Sequence, residues 1–169
     1  MFAIRMKKYR SWLLTLILLQ IATAVFPQSK KELEEMFTQA ESHYLFEEYE
    51  LANPIYLSIL SFEPDNCNIL YKIGNCYLNI PDEKTKALEY LEKAVKNVSY
   101  DAKSQLFKEK RAPLDAYFSL GKAYMINNDL EKAINTFQVF QKLVKDSPLK
   151  GEMQNIEFVD QQIEACKNA

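Results

Sequence analysis

The chain has 169 residues, with 21 Lys and Arg against 23 Asp and Glu for a net charge of −2. That length suits one domain with a modest core, and the acidic balance argues against nucleic-acid binding, whose affinity comes mostly from neutralising phosphates. Only three Gly, with 48% apolar and 26% charged residues, favour an all-helical array over a sheet protein.

Met1 to Arg10 holds Arg5, Lys7, Lys8 and Arg10 and no acid. An apolar run from Trp12 to Ile21, interrupted by Thr15 and Gln20, continues to Phe26. With Ala22-Thr23-Ala24 closing it, this reads as a secretory signal peptide over residues 1–24. An uncleaved membrane anchor is the alternative, although the run is shorter than the roughly 20 apolar residues of a bilayer span. No Cys precedes Cys67, which disfavours a lipid-anchored bacterial lipoprotein. Cleavage takes four basic groups away and leaves residues 25–169 with a net charge of −6.

Ser29 with Glu32 three residues on has the capping-box spacing, so a first helix is expected from there to about Phe46. Glu47-Glu48-Tyr49-Glu50 makes a turn, and a second helix runs from about Tyr49 to Phe62, with Pro54 expected in its first turn or so, where a missing donor costs little. Pro64 ends this unit and Asn66 caps the next. That unit uses Cys67 to Leu78, a turn over Asn79 to Glu83, and a helix over about Lys84 to Lys96. Residues 97–112 form a Lys-rich insertion with Lys103, Lys108, Lys110 and Arg111. It reads either as a solvated loop or extended helix end, or as a flap that meets an acidic partner beside a groove. A third unit follows from Leu114 to Ile126 and from Leu130 to Lys145, broken at Asp146-Ser147-Pro148. A last helix over residues 150–166 places Met153, Ile156, Val159, Ile163 and Cys166 on one face, as the closing helix of an array requires.

One figure recurs through these units. Leu70, Ile73 and Tyr77 surround the single small residue Gly74, with Ala87, Leu91 and Ala94 on the next helix. Tyr117, Leu120, Gly121 and Tyr124 repeat it with Ala133 and Phe137, and Met36, Ala40 and His43 do so more loosely with Ala52 and Tyr56. Ala40 and Gly74 are 34 residues apart and Gly74 and Gly121 are 47 apart, which leaves 13 residues for the insertion. This pattern resembles the tetratricopeptide repeat family. The resemblance implies an all-α, right-handed solenoid of about three helix-turn-helix repeats, near 31–64, 67–98 and 114–147, plus the capping helix, all within one domain over residues 25–169.

Catalytic chemistry finds little footing. The single His43 stands where the repeat places an aromatic, so packing is its expected role. No phosphate loop, nucleophile motif or cluster with metal-ligand spacing occurs. No enzyme activity, cofactor, metal or small-molecule substrate is therefore expected. Cys67 and Cys76 lie about 13 Å apart along one helix, too far to bond. All three cysteines are expected to be small core residues, with a disulfide to Cys166 as the alternative.

In arrays of this kind the first helix of each repeat lines the inner surface. The resemblance thus assigns a partner-binding groove to Phe37, Tyr71 and Phe118 in one apolar row and Tyr44, Leu78 and Met125 in another, with Glu41, Asn75 and Lys122 between them. The opposing reading has these residues packed on one another or under the last helix. A narrower resemblance rests on Leu70-Tyr71-Lys72-Ile73-Gly74-Asn75-Cys76-Tyr77-Leu78-Asn79, Tyr90-Leu91-Glu92-Lys93-Ala94-Val95 and Phe107-Lys108-Glu109-Lys110-Arg111-Ala112-Pro113. These stretches look like the N-terminal repeat region of exported Bacteroidetes proteins that add a β-propeller and an OmpA-like domain. It implies an exported scaffold, periplasmic or associated with the outer membrane, that binds another envelope protein or peptide segment. A structural spacer or self-associating module is the alternative, and the membrane enters only if the signal stays uncleaved.

Overall fold

The computed structural model describes residues 29–148 and 156–169. The signal-peptide reading over residues 1–24 and Met153 lie outside the described residues. The chain divides into two compact units, residues 1–33 and 34–169. In the first, the described residues are the start of helix α1 (Lys30–Leu45), where the capping box forms as its spacing requires. The Ser29 amide donates to Glu32 Oε2 at 3.0 Å, and the Glu32 amide donates to Ser29 Oγ at 3.2 Å.

The second unit continues α1 and adds α2 (Tyr49–Phe62), α3 (Cys67–Asn79), α4 (Ala87–Ala94), α5 (Asp115–Ile126), α6 (Leu130–Asp146) and α7 (Ile156–Lys167). Sequential helices pack on one another, α2 on α3, α3 on α4, α4 on α5, α5 on α6 and α6 on α7. This nearest-neighbour order makes a helical solenoid, and the short turns between helices force antiparallel pairs. Asn66 caps α3 by accepting from the amides of Asn68 and Ile69 at 3.1 and 3.2 Å. Asp129 accepts from the Lys132 amide at the start of α6, and Asn128 ahead of it takes the left-handed conformation that an Asn tolerates in a tight turn.

Gly74 and Gly121 sit where helices approach most closely. A Cβ on Gly74 would lie 2.5 Å from Leu91 Cγ, and one on Gly121 would lie 2.4 Å from a Phe137 ring carbon. Leu91 and Phe137 are both fully buried, so each has nowhere to retreat. The last helix buries Val159, Ile163 and Cys166 against Ala133, Phe137 and Phe140 of α6, closing the array with the face its spacing indicated. Cys67, Cys76 and Cys166 are free thiols and buried.

Three expectations need correction. The second helix of the middle repeat is not one helix from Lys84 to Lys96. It opens as a 3-10 turn (Lys84–Lys86), becomes α-helical at Ala87 and ends at Ala94. Asp82 just before it has φ of 61° and no side chain caps the turn, so the entry winds tightly through the bond from the Lys86 amide to the Glu83 carbonyl. Pro54 lies in the second turn of α2, where its exposed ring removes one solvent-side bond from the helix ladder.

The insertion is also not a solvated loop. Val98–Ser99 (β1) and Ala112–Pro113 (β2) pair in parallel at its two ends, which closes its base. Its middle folds back to the start of α3. The Asn68 amide donates to the Lys110 carbonyl at 3.3 Å and Asn68 Nδ2 donates to the Ser104 carbonyl at 2.9 Å. Lys110 pairs with Glu63, and Phe107 is buried. This segment is a strap, and a buried aromatic holds it down.

The close approach at Gly121 yields a stability test. Gly121→Ala gains about 1 kcal/mol of helix propensity but drives a methyl into Phe137, and overpacking of this kind costs about 1 to 3 kcal/mol. We expect a net loss of stability in urea denaturation, and a larger one for Gly121→Val. A variant more stable than the parent would contradict the close-approach account.

Candidate functional site

The nine groove residues lie on the first helices of the three repeats, α1, α3 and α5, but the two apolar rows are not open along their length. Phe37, Tyr71 and Leu78 are core residues. The ring of Phe37 meets Tyr56 edge-on at 6.2 Å and Phe107 of the strap at 5.8 Å. The strap thus supplies the cover that sequence alone left open. Phe118 is half-buried and stacks within 5.8 Å of Phe137, Phe140 and Phe158, the last from α7. Tyr44 and Met125 are half-buried.

Between the rows runs a polar chain that links all three repeats. Lys72 Nζ pairs with Glu41 at 2.9 Å, and its side chain is only 5% exposed. The same carboxylate accepts from the Tyr56 hydroxyl. Lys72 also lies 4.3 Å from the centre of the Tyr44 ring, a favourable place for a cation withdrawn from water. The Tyr44 hydroxyl in turn accepts from Asn75 Nδ2 at 3.1 Å, and Asn75 Oδ1 accepts from Ser119 Oγ at 2.6 Å. Both ends of Asn75 are consumed by the protein itself. Burial pushes the hydroxyls of Tyr44, Tyr56 and Tyr71 well above the usual phenol range, with the Glu41 carboxylate adding to the effect at Tyr56. They remain neutral donors at any physiological pH.

Lys122 differs from Lys72. It is half-buried over the Phe118 ring at 6.0 Å, and no carboxylate among the described residues forms an ion pair with it. Desolvation, and then the nearby charge of Lys84, hold its ammonium below the usual lysine range. A cation in that position favours any acceptor that comes to it.

Sequence reasoning missed Lys72, Tyr56, Ser119 and Phe107. Lys72 was detectable in principle, because it is the only charged residue in Cys67–Asn79 and lies beside the apolar positions of that helix. Phe107 was the single aromatic in the Lys-rich stretch from Lys103 to Arg111, and nothing in its spacing indicated that it would reach Phe37. His43 does not pack as expected of an aromatic position. It is half-buried and its Nδ1 lies 2.7 Å from Glu48 Oε2 in the turn that follows. Burial pushes the Cys76 thiol up to about 12, so it stays an unreactive core group. Among the described residues no cluster of His, Cys, Asp and Glu could hold a metal, and no helix is long and apolar enough to cross a membrane.

The architecture and this inner face define a helix-hairpin repeat protein. Residues 69–99 and 115–147 match the tetratricopeptide repeat family, so these two stretches carry tetratricopeptide repeats. No curated protein is significantly similar to it in sequence. Solved structures share the fold at low identity. The type III secretion chaperone SycD of Yersinia enterocolitica, in complex with a peptide of the translocator YopD, aligns with a TM-score of 0.62 at 17% identity, over 83% of this chain and 95% of that one. The TPR2B domain of yeast Sti1, in a pHsp70 complex, gives 0.60 at 13%, over 82% and 98%. The first TPR domain of human RPAP3 gives 0.54 at 16%, over 79% and 94%.

Two measurements check the geometry. Glu41→Ala leaves Lys72 buried without its counter-charge, and removing one member of such a pair costs about 3 to 5 kcal/mol. Glu41→Leu with Lys72→Met should be much less damaging, so the double-mutant cycle has a large coupling term. Near-additive effects would mean the pair does not hold the face together. In the strap, the Arg111 guanidinium beside Glu109 holds its carboxyl at about 2, from an ordinary value of 4.5. A depressed carboxylate stabilises the fold above the ordinary value and loses that contribution as pH falls through about 2. A carboxyl-carbon NMR titration should therefore find Glu109 still ionised at pH 3, and ordinary titration there would remove the latch.

Proposed function

We propose that the protein is a non-enzymatic scaffold of the bacterial cell envelope that binds a segment of a partner protein along the inner face of its repeats. The observation that carries this reading is Lys122, a half-buried cation with no counter-charge among the described residues, flanked by half-buried Phe118 and Met125. The rest of the inner face is satisfied internally or covered, so the third repeat is where a partner has something to gain. An apolar anchor beside Met125 with an acceptor on Lys122 would order an extended or helical segment there. SycD in complex with a peptide of YopD and the Sti1 TPR2B domain in complex with pHsp70 share the fold, which supports partner binding as the mode.

The envelope assignment rests on the basic head and apolar run of the N-terminal residues and on the stretches that resemble exported Bacteroidetes repeat proteins. Periplasmic or outer-membrane-associated residence follows from the same reading. A spacer with no client is the second reading, and the covering of Phe37 by Phe107 and of Phe118 by Phe158 favours it.

The two readings separate in a capture experiment from envelope extract, with the parent beside a Lys122→Glu, Met125→Ser variant whose helicity is checked by circular dichroism. The scaffold reading expects a client that the parent retains and the folded variant loses by at least about tenfold, the scale of one interface hot spot. A client retained equally by both, or none at all, would leave the spacer reading standing.

A further inference from the structure

The edge of the array formed by the first hairpin turn is apolar and acidic. Leu45 is 79% exposed, Phe46 72% and Leu51 53%. Leu51 lines a cleft of about 380 Å³ together with Glu47, Glu48, Tyr49 and Glu50 and with Asn79 and Ile80 at the end of α3, and Leu45 and Phe46 directly precede Glu47 in the chain. Glu48 is engaged with His43, but Glu47 and Glu50, both exposed, form no ion pair among the described residues. Large apolar side chains held this far out of a core mark an interaction surface, and the two free carboxylates at its rim prefer a basic occupant.

The opposite edge has the complementary character. The strap exposes Tyr100 by 51% and Leu106 by 49%, and Lys103 and Lys108 are exposed beside them with no carboxylate paired to either ammonium among the described residues. The strap is bonded to Asn68 at the first turn of α3, whereas the cleft reaches Asn79 and Ile80 at the last. The two patches are therefore about 20 Å apart, the length of that helix, and one molecule cannot bring them together.

We propose that the acidic hairpin tip of one molecule receives the basic strap of a second copy, with Phe46 and Leu45 against Leu106 and Tyr100, and Glu47 and Glu50 against Lys103 and Lys108. The contact is heterologous, since each copy donates a different edge. Each copy that joins brings one further tip and one further strap, so the contact builds head-to-tail chains, or a ring where its rotation closes, rather than an isologous dimer. The contact uses neither Lys122 nor Met125, which stay available to a client.

Sedimentation velocity on the purified full chain tests this over a concentration and salt series. The expected result is an average mass that rises with concentration beyond that of a dimer, and falls as salt screens the rim charges. A tip variant, Glu47→Lys with Glu50→Lys, and a strap variant, Lys103→Glu with Lys108→Glu, should each lose self-association. Mixed in equal amounts, they should assemble again into chains in which the two variants alternate, because both edges of the tip variant are then basic and both edges of the strap variant acidic. Joining all four changes in one chain should restore assembly. A parent that stays monomeric, an assembly unaffected by either charge reversal, or variants that fail to complement one another would each overturn the proposal. Binding of a synthetic Lys/Leu peptide at the tip of a monomeric parent would instead assign that surface to another protein.

Discussion

The inner face of this protein depends on the buried ion pair between Glu41 and Lys72. A lysine with its side chain almost wholly withdrawn from water is tolerable only if its charge is answered within the fold. Glu41 answers it from the first repeat, and the Tyr44 ring supplies a second favourable surface. Every other polar contact on the face follows in order from that one. Tyr56 bonds Glu41, Tyr44 bonds Asn75, and Asn75 takes the hydroxyl of Ser119 on the third repeat. The registration of three helices is thus set by a single line of side chains, while the apolar core behind them fixes only their distance.

That division explains how much of the structure was legible from the residues alone. Helix distance is a matter of size, and size is periodic. Gly74 facing Leu91 and Gly121 facing Phe137 repeat the same solution, so the recurring small residue located the repeats, and Asn66 and Ser29 located helix starts by local hydrogen bonding. Registration is not periodic. The Glu41 to Lys72 pair occurs once, between unlike positions of neighbouring repeats, and no spacing rule brings those two residues together.

The exposure of the candidate groove residues was not legible in the sequence. Helical spacing assigns Phe37, Tyr71 and Phe118 to one side of their helices, but the side a residue faces does not say what else comes to cover it. The cover here arrives from distant parts of the chain, Phe107 from the insertion and Phe158 from the final helix. The basic character of residues 97–112 also concealed their role. Lys110 and Arg111 are spent on Glu63, Glu109 and Asp101, so a segment that reads as a charged surface loop is held by its own acids.

The strap changes what kind of cooperativity the array can have. A solenoid whose units touch only their neighbours can fray from either end, one unit at a time. Here Glu63 and Lys110, 47 residues apart, and the rings of Phe37 and Phe107 tie the first repeat to a segment made after the second is complete. The first hairpin must therefore wait, during synthesis, for a lid that has not yet been translated. Once closed, it cannot peel away without also releasing the segment that leads into the third. A linear arrangement of hairpins becomes a loop of mutual dependence, in which the terminal unit, ordinarily the weakest link, shares the fate of the middle.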